Sequence, residues 1–234
     1  MNIVVSFFFV ALYFIVSIFQ LLVLLLLTPK RVKSIYARLD AGEEEKRIQS
    51  IKPFVLKDET VLDVGAGSGR FGKAVQERLG VKVTGVDVCD YSDYSIPFFV
   101  YDGKTLPFPD KSFDVVFFAF VLHHTRNQEI LLQEACRVAK RQIVIFEDTY
   151  LYGFERYFVA WNDYHTNILQ GKIKVMKGYF KGDPSQMPMP FTFRSVQGWK
   201  DFFKQFPVEL SLSELRKTSY KPLQKVTFCL QLKN

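Results

Sequence analysis

The chain has 234 residues, a net charge of +7 and 48% apolar residues, with three cysteines, Cys89, Cys136 and Cys229, scattered along it. The odd, dispersed cysteines exclude a disulfide framework and any C-x-x-C pair, which fits a reducing compartment. The basic residues are dispersed except at residues 30–33 and at Lys172, Lys174, Lys177 and Lys181, a pattern better suited to anionic lipid head groups than to a nucleic-acid groove, so no nucleic-acid partner is expected.

In chain order, residues 3–27 carry no charge. As a helix they would be about 37 Å long, enough to cross a hydrocarbon core of about 30 Å. A basic leader and a small-x-small cleavage site are both missing, and Thr28-Pro-Lys-Arg-Val-Lys follows, so residues 1–29 are expected to be an uncleaved transmembrane anchor rather than a signal peptide. Lys30, Arg31, Lys33 and Arg38 flank its C-terminal side and place the following domain in the cytoplasm by the positive-inside rule. Residues 30–50 read as a charged helical linker interrupted near Gly42, and residues 51–234 as one α/β domain.

The run Val61-Leu-Asp-Val-Gly-Ala-Gly-Ser-Gly69 is a β-branched strand with an acid at its third position, followed by three glycines at alternate positions. Such a passage brings bare backbone N–H groups to a ligand and leaves Asp63 beside it. Asp87 ends the next strand, and Asp102 follows the one after. Three acids at successive strand ends suit a cationic cofactor without phosphate, because a pyrophosphate beside Asp63 would be repelled. Gly67–Gly72 also satisfies G-x-G-x-x-G, which alone is a weak signal for a dinucleotide. Strands at Val61–Val64, Val81–Val86, Phe98–Val100, Phe113–Phe120 and Ile143–Phe146 alternate with helices at Phe71–Leu79 and Gln128–Val138. Val208–Leu212 and Val226–Leu232 read as two further strands. The expected fold is Rossmann-like α/β, doubly wound, with a mostly parallel sheet closed by an antiparallel C-terminal strand.

With Val121-Leu-His-His and Glu134-Ala-Cys-Arg-Val added, these stretches resemble the class I S-adenosylmethionine-dependent methyltransferases of small-molecule type, well over residues 50–150 and more faintly beyond. The resemblance implies S-adenosylmethionine as cofactor. It sets Asp63, Gly65 and Gly67 at the methionine part, Asp87 at the ribose, Asp102 and Gly103 on the adenine side, and Phe120 with His123 on the wall after the fourth strand. Ala66, Gly69 and Val88 join this cofactor set. The chain departs from the pattern twice. Only 15 positions separate Asp87 from Asp102, so the adenine wall is expected from a loop around Tyr91 and Tyr94, and Lys140-Arg141-Gln142 stands at the turn where the family commonly has Gly-Gly.

Beyond the fifth strand, Phe154, Tyr157, Phe158, Trp161, Tyr164, His165 and Ile168 recur at three- and four-residue steps and form one aromatic stripe on a helix. The stripe either packs on its neighbours or faces an apolar substrate, and the Met- and Pro-rich segment 182–191 is either a rim or an ordinary connection. If the methyl acceptor must lose a proton, His124 and His165 are the candidate bases. No metal site is expected, since His123 and His124 would point opposite ways in an extended chain. The leading expectation is a membrane-anchored methyltransferase acting on a small hydrophobic or lipid-like acceptor. The rival readings are a non-catalytic membrane-anchored scaffold and an NAD-dependent oxidoreductase.

Overall fold

The computed structural model describes residues 3–90, 93, 95–179, 182–217 and 223–233, with side chains for all of these except residues 3–7, 9, 216 and 217. Short apolar, β-branched runs build a seven-stranded sheet: β1 Thr60–Val64, β2 Lys82–Asp87, β3 Phe98–Val100, β4 Phe113–Ala119, β5 Ala139–Thr149, β6 Val208–Lys217 and β7 Gln224–Leu232. Their order is β3-β2-β1-β4-β5-β7-β6. β1 to β5 pair in parallel, and β7 runs antiparallel between β5 and β6. The order reverses between β1 and β4, so their carboxyl ends flank the crevice in which open α/β sheets bind ligands.

Alternation along the strands splits the core in two. Leu62, Val64, Val116 and Phe118 face helices α4 (Gln128–Val138) and α7 (Val196–Phe203), where Leu131, Leu132, Trp199 and Phe203 are buried against them. Val61, Val115, Phe117 and Val144 face the opposite way, onto α3 (Arg70–Leu79) and the end of α2 (Pro29–Ile51). Asp63 shares the parity of Val61, so the acid enters the α2–α3 side of the sheet. Cys136 and Cys229 are buried among these apolar side chains, and burial pushes the Cys136 thiol up to about 11.

Several expectations are revised. Lys140-Arg141-Gln142 lies within β5 and not in a turn; Arg141 pairs with Glu59 and Lys140 with Asp114, so polar ties across the amino-terminal edge of the sheet replace a glycine turn. α2 continues through Gly42 without a break. An interior glycine costs about 1 kcal/mol, and ion pairs from Arg70 to Asp40 and Glu44 and from Lys225 to Glu43 hold the helix across it. The expected wall at Tyr91 and Tyr94 lies outside the described residues.

The N-terminal helix α1 (Ile3–Leu26) does not project from the domain. It lies along α5 (Glu155–Tyr164), a π-helical turn His165–Leu169 and α6 (Gln170–Met176). Tyr13 donates to Asn162 Oδ1 (2.5 Å), Trp161 Nε1 to the buried Ser17 hydroxyl (2.9 Å), and Lys177 to the Leu25 carbonyl (3.0 Å). Its other face exposes Ile15, Phe19 and Leu26 at 68, 66 and 87%. Among the described residues, no helix is long and apolar enough to cross a membrane. The structure therefore does not support the expected transmembrane anchor; one polar-bonded face of α1 is committed to the protein.

Candidate active site

A cleft of about 1170 Å³ opens at the carboxyl ends of β1 and β4. A site for one small ligand takes roughly 300–1,000 Å³, so this cleft is larger than the upper end of that range. Asp63, Gly65, Ala66, Gly67, Asp87, Val88, Asp102, Gly103, Phe120 and His124 all line it. Gly65 has φ +73° and a Cβ there would collide with the Val121 side chain, whereas at Gly67, φ +55°, a Cβ would meet no protein atom and would occupy the open space of the cleft. Both positions require glycine, the first for the chain's own packing and the second for close approach of a ligand.

The electrostatics favour a cation. Burial, and then the charge of Asp87, raise the Asp63 carboxyl well above the usual range, against the pull of Arg47. Asp87 is raised by burial although the Gly67 and Val88 amides donate to it at 2.8 and 2.7 Å. Asp102 is exposed on the cleft rim and closes a turn by accepting from the Lys104 and Thr105 amides (2.8 and 2.7 Å). Phe120 adopts φ +64°, a costly conformation for a bulky residue, at the end of β4. Its ring lies 4.8 Å under the guanidinium of Arg47, which reaches into the cleft from α2. Arg47 Nε is buried without a hydrogen-bond partner.

Comparison with known proteins identifies the domain. Residues 62–146 match the family described as "Methyltransferase domain". The chain carries a class I S-adenosylmethionine-dependent methyltransferase domain. A demethylmenaquinone methyltransferase of Tropheryma whipplei is 29% identical over 182 residues, covering 72% of this chain and 71% of that one. A demethylmenaquinone methyltransferase of Porphyromonas gingivalis is 35% identical over 115 residues, 43% of this chain and 46% of that one. The fold is shared with an S-adenosylmethionine-dependent methyltransferase from Aquifex aeolicus, at TM-score 0.56 and 19% identity, covering 88% of this chain and 99% of the other. The methyltransferase is an enzyme whose cofactor is S-adenosylmethionine, and the donor set fits it: the buried Asp63, the half-buried Asp87 and an arginine around a glycine loop suit a ligand with a cationic sulfur, an ammonium and a carboxylate. A nicotinamide dinucleotide would set its pyrophosphate against the same acids.

The other half of the methyltransferase's cleft is built by β4, β5 and α5. After β4 the chain makes a 3₁₀ turn, Leu122–His124. His123 is buried behind the wall and not on it: its Nδ1 donates to Glu147 Oε2 at 2.5 Å, and Glu147 Oε1 accepts from the Leu122 amide at 2.8 Å. Burial alone would lower the His123 pKa, but Glu147 and Asp163 hold it up, to about 10, so this spot favours positive charge. His124 does line the cleft, with Nδ1 donating to the Pro188 carbonyl at 2.8 Å.

His165 is not on the cleft. It is fully buried under α1, where Nε2 donates to the Ser17 carbonyl (3.0 Å) and Nδ1 accepts from Gln170 (3.3 Å), so neither nitrogen is free to act as a base. Gly69 also lies off the cleft lining and instead begins α3 in a left-handed conformation. Part of the aromatic stripe packs on α1, with Phe14 on Trp161 and Tyr13 on Phe158, while Tyr157 and Tyr164 are exposed. The polar face of that same helix, Asn162, Asp163, Thr166, Asn167 and Gln170, lines the cleft instead, and Met187, Pro188, Met189 and Pro190 form its rim. Arg47 and Asp163 escape sequence reading. Each is an ordinary helical charge until tertiary packing delivers it to the cleft.

Proposed function

We propose that the chain transfers the methyl group of S-adenosylmethionine to a small, hydrophobic acceptor of the isoprenoid hydroquinone class, while held at a membrane by its N-terminal segment. The observation that carries this reading is the continuity of the cleft: the cofactor cradle opens directly into a second compartment rimmed by Met187, Pro188, Met189 and Pro190. Relatives named for action on demethylmenaquinone and on 2-methyl-6-phytyl-1,4-hydroquinone support the acceptor class. Membrane attachment is supported by the exposed apolar face of α1, which joins the cleft wall through the Tyr13–Asn162 bond, and by the basic residues 30–33 that follow it. The same basic flank, drawn to the anionic head groups of a cytoplasmic leaflet, supports a cytoplasmic position for the domain.

When bound, S-adenosylmethionine supplies an electrophilic methyl on a cationic sulfur. Asp63 would hold its ammonium, Arg47 its carboxylate, Asp87 the ribose hydroxyls, and Asp102 with Gly103 the adenine side. The chain's part is to align acceptor with methyl and to exclude water, an effect that can supply roughly 7–11 kcal/mol. A hydroquinone ring becomes a better nucleophile when its hydroxyl loses a proton, and the acid–base groups on the acceptor side of the cleft are His124 and Asp163. The experiment is transfer of label from S-adenosylmethionine, by the full chain in lipid vesicles, to demethylated hydroquinones with and without an isoprenoid tail. We expect product with the tailed acceptor and at least tenfold lower kcat/KM without the tail; equal turnover of both, or of neither, overturns the acceptor class.

A further inference from the structure

We propose that His123, His124 and Asp163 form a binding site for a divalent transition-metal ion that faces the acceptor half of the cleft. Adjacent histidines in a strand would diverge, but the 3₁₀ turn Leu122–His124 sets their rings 4.2 Å apart on the same side. Both Nε2 atoms approach Asp163 Oδ1, at 3.5 and 3.6 Å, and one ligand atom from each of the three residues lies within 4.8 Å of the others. Metal–nitrogen and metal–oxygen bonds of about 2.0–2.2 Å at tetrahedral angles need ligand atoms roughly 3.3–3.5 Å apart, which the two His–Asp distances already meet to within about 0.3 Å, so that a rotation of the imidazoles toward each other closes the site.

The hydrogen bonds point the same way. Carboxylate and carbonyl oxygens only accept, so the bonds from His123 to Glu147 and from His124 to Pro188 put a proton on each Nδ1. With each Nδ1 so engaged, the Nε2 atoms of both rings face the Asp163 carboxylate, a place that either the proton of His123 or a metal ion in its stead would fill. His123 Nε2 and Asp163 Oδ2 are both buried and lack hydrogen-bond partners. An outer carboxylate or carbonyl on each ligating imidazole is what orients histidines at metal centres, and Asn167 similarly fixes Asp163 through a 2.6 Å bond. Two imidazoles and one carboxylate favour Zn²⁺, Fe²⁺, Co²⁺ or Mn²⁺ over the oxygen-seeking Mg²⁺ or Ca²⁺. With three protein ligands a position stays open, and His124 and Asp163 line the cleft onto which it opens.

The ion's role rests on the acceptor reading above. Its open position would take up the hydroxyl oxygen of the acceptor; the O–H bond breaks, its proton passes to water, and the oxygen keeps the electron pair that activates the ring.

The test is titration of the chelator-stripped full chain, in detergent, with Co²⁺, followed by visible absorption and calorimetry. One Co²⁺ per chain is expected, displaced by Zn²⁺. Affinity should fall at least tenfold in Asp163→Asn and in His124→Gln, and about 10–100-fold in Glu147→Gln, which alters only the outer contact. S-adenosylhomocysteine binding identifies which variants are folded, and the partly exposed His124 supplies a variant that spares the core. If the folded wild-type chain binds no Co²⁺, or the folded variants bind it equally well, the site is overturned and the positive charge there is the proton of His123. Metal binding without methylation of any hydroquinone would sink the acceptor reading and leave the site standing; methylation indifferent to chelation, with no Co²⁺ bound, would do the reverse.

Discussion

Asp63 carries the sharpest prediction at the scale of single residues. Its carboxyl is raised by burial and by Asp87, so the proton is held more tightly than in an ordinary aspartate. A cationic ligand favours the ionised form, and binding must therefore release a proton from Asp63 at any pH below its raised pKa. Affinity for S-adenosylmethionine should weaken as pH falls through that pKa and be restored above it. Calorimetry in buffers of differing ionisation heat measures the released proton. Asp63→Asn should remove most of the release and flatten the pH dependence to what the likewise raised Asp87 contributes, and a proton release unchanged by the substitution contradicts this role. That the strand-end acids and the loop glycines Gly65 and Gly67 would meet in one cleft was legible in the sequence, because their placement follows from local backbone geometry at successive strand ends. His123 and His124 were legible as a pair but not as a convergent one, since the turn that aligns them is set by Glu147 and Pro188, remote in sequence.

Among the elements, α5 with its π turn illustrates what periodicity can and cannot tell. The aromatic spacing of residues 154–168 identified a helix with one apolar face, and the structure has that helix. The spacing could not tell whether the apolar face meets a substrate or another helix; α1 takes part of it, and the polar face turns to the cleft. This assigns His165 a structural role, as the bridge between Ser17 and Gln170. His165→Ala leaves two buried polar partners unsatisfied, at about 1–3 kcal/mol. Thermal denaturation should show a clear drop in Tm, with kcat unchanged at temperatures where the chain remains folded. An unchanged Tm with a tenfold fall in kcat would return His165 to the chemistry. Residues 30–50 read as a charged helical linker, and the structure has a helix there; what the sequence does not tell is that Asp40, Glu43, Glu44 and Arg47 all line the cleft, so that α2 is one of its walls.

At the scale of the whole molecule, the strand order β3-β2-β1-β4-β5-β7-β6 puts every acid of the cofactor cradle at one end of the sheet and leaves the C-terminal hairpin to complete its far side. α2 walls that end, and α1 packs behind α5, with exposed apolar residues such as Ile15, Phe19 and Leu26 on its outer face. Methyl transfer depends on the cradle binding S-adenosylmethionine, and calorimetric titration of the full chain with S-adenosylmethionine and S-adenosylhomocysteine tests that most directly. Asp87 accepts from two loop amides and would hold the ribose. Hydrogen bonds to a charged group contribute about 1.5–3 kcal/mol each, so we predict one site per chain for both ligands and a loss of at least tenfold in affinity in Asp87→Ala. A folded chain that binds neither ligand, or binds both equally well without the Asp87 carboxylate, would contradict the account.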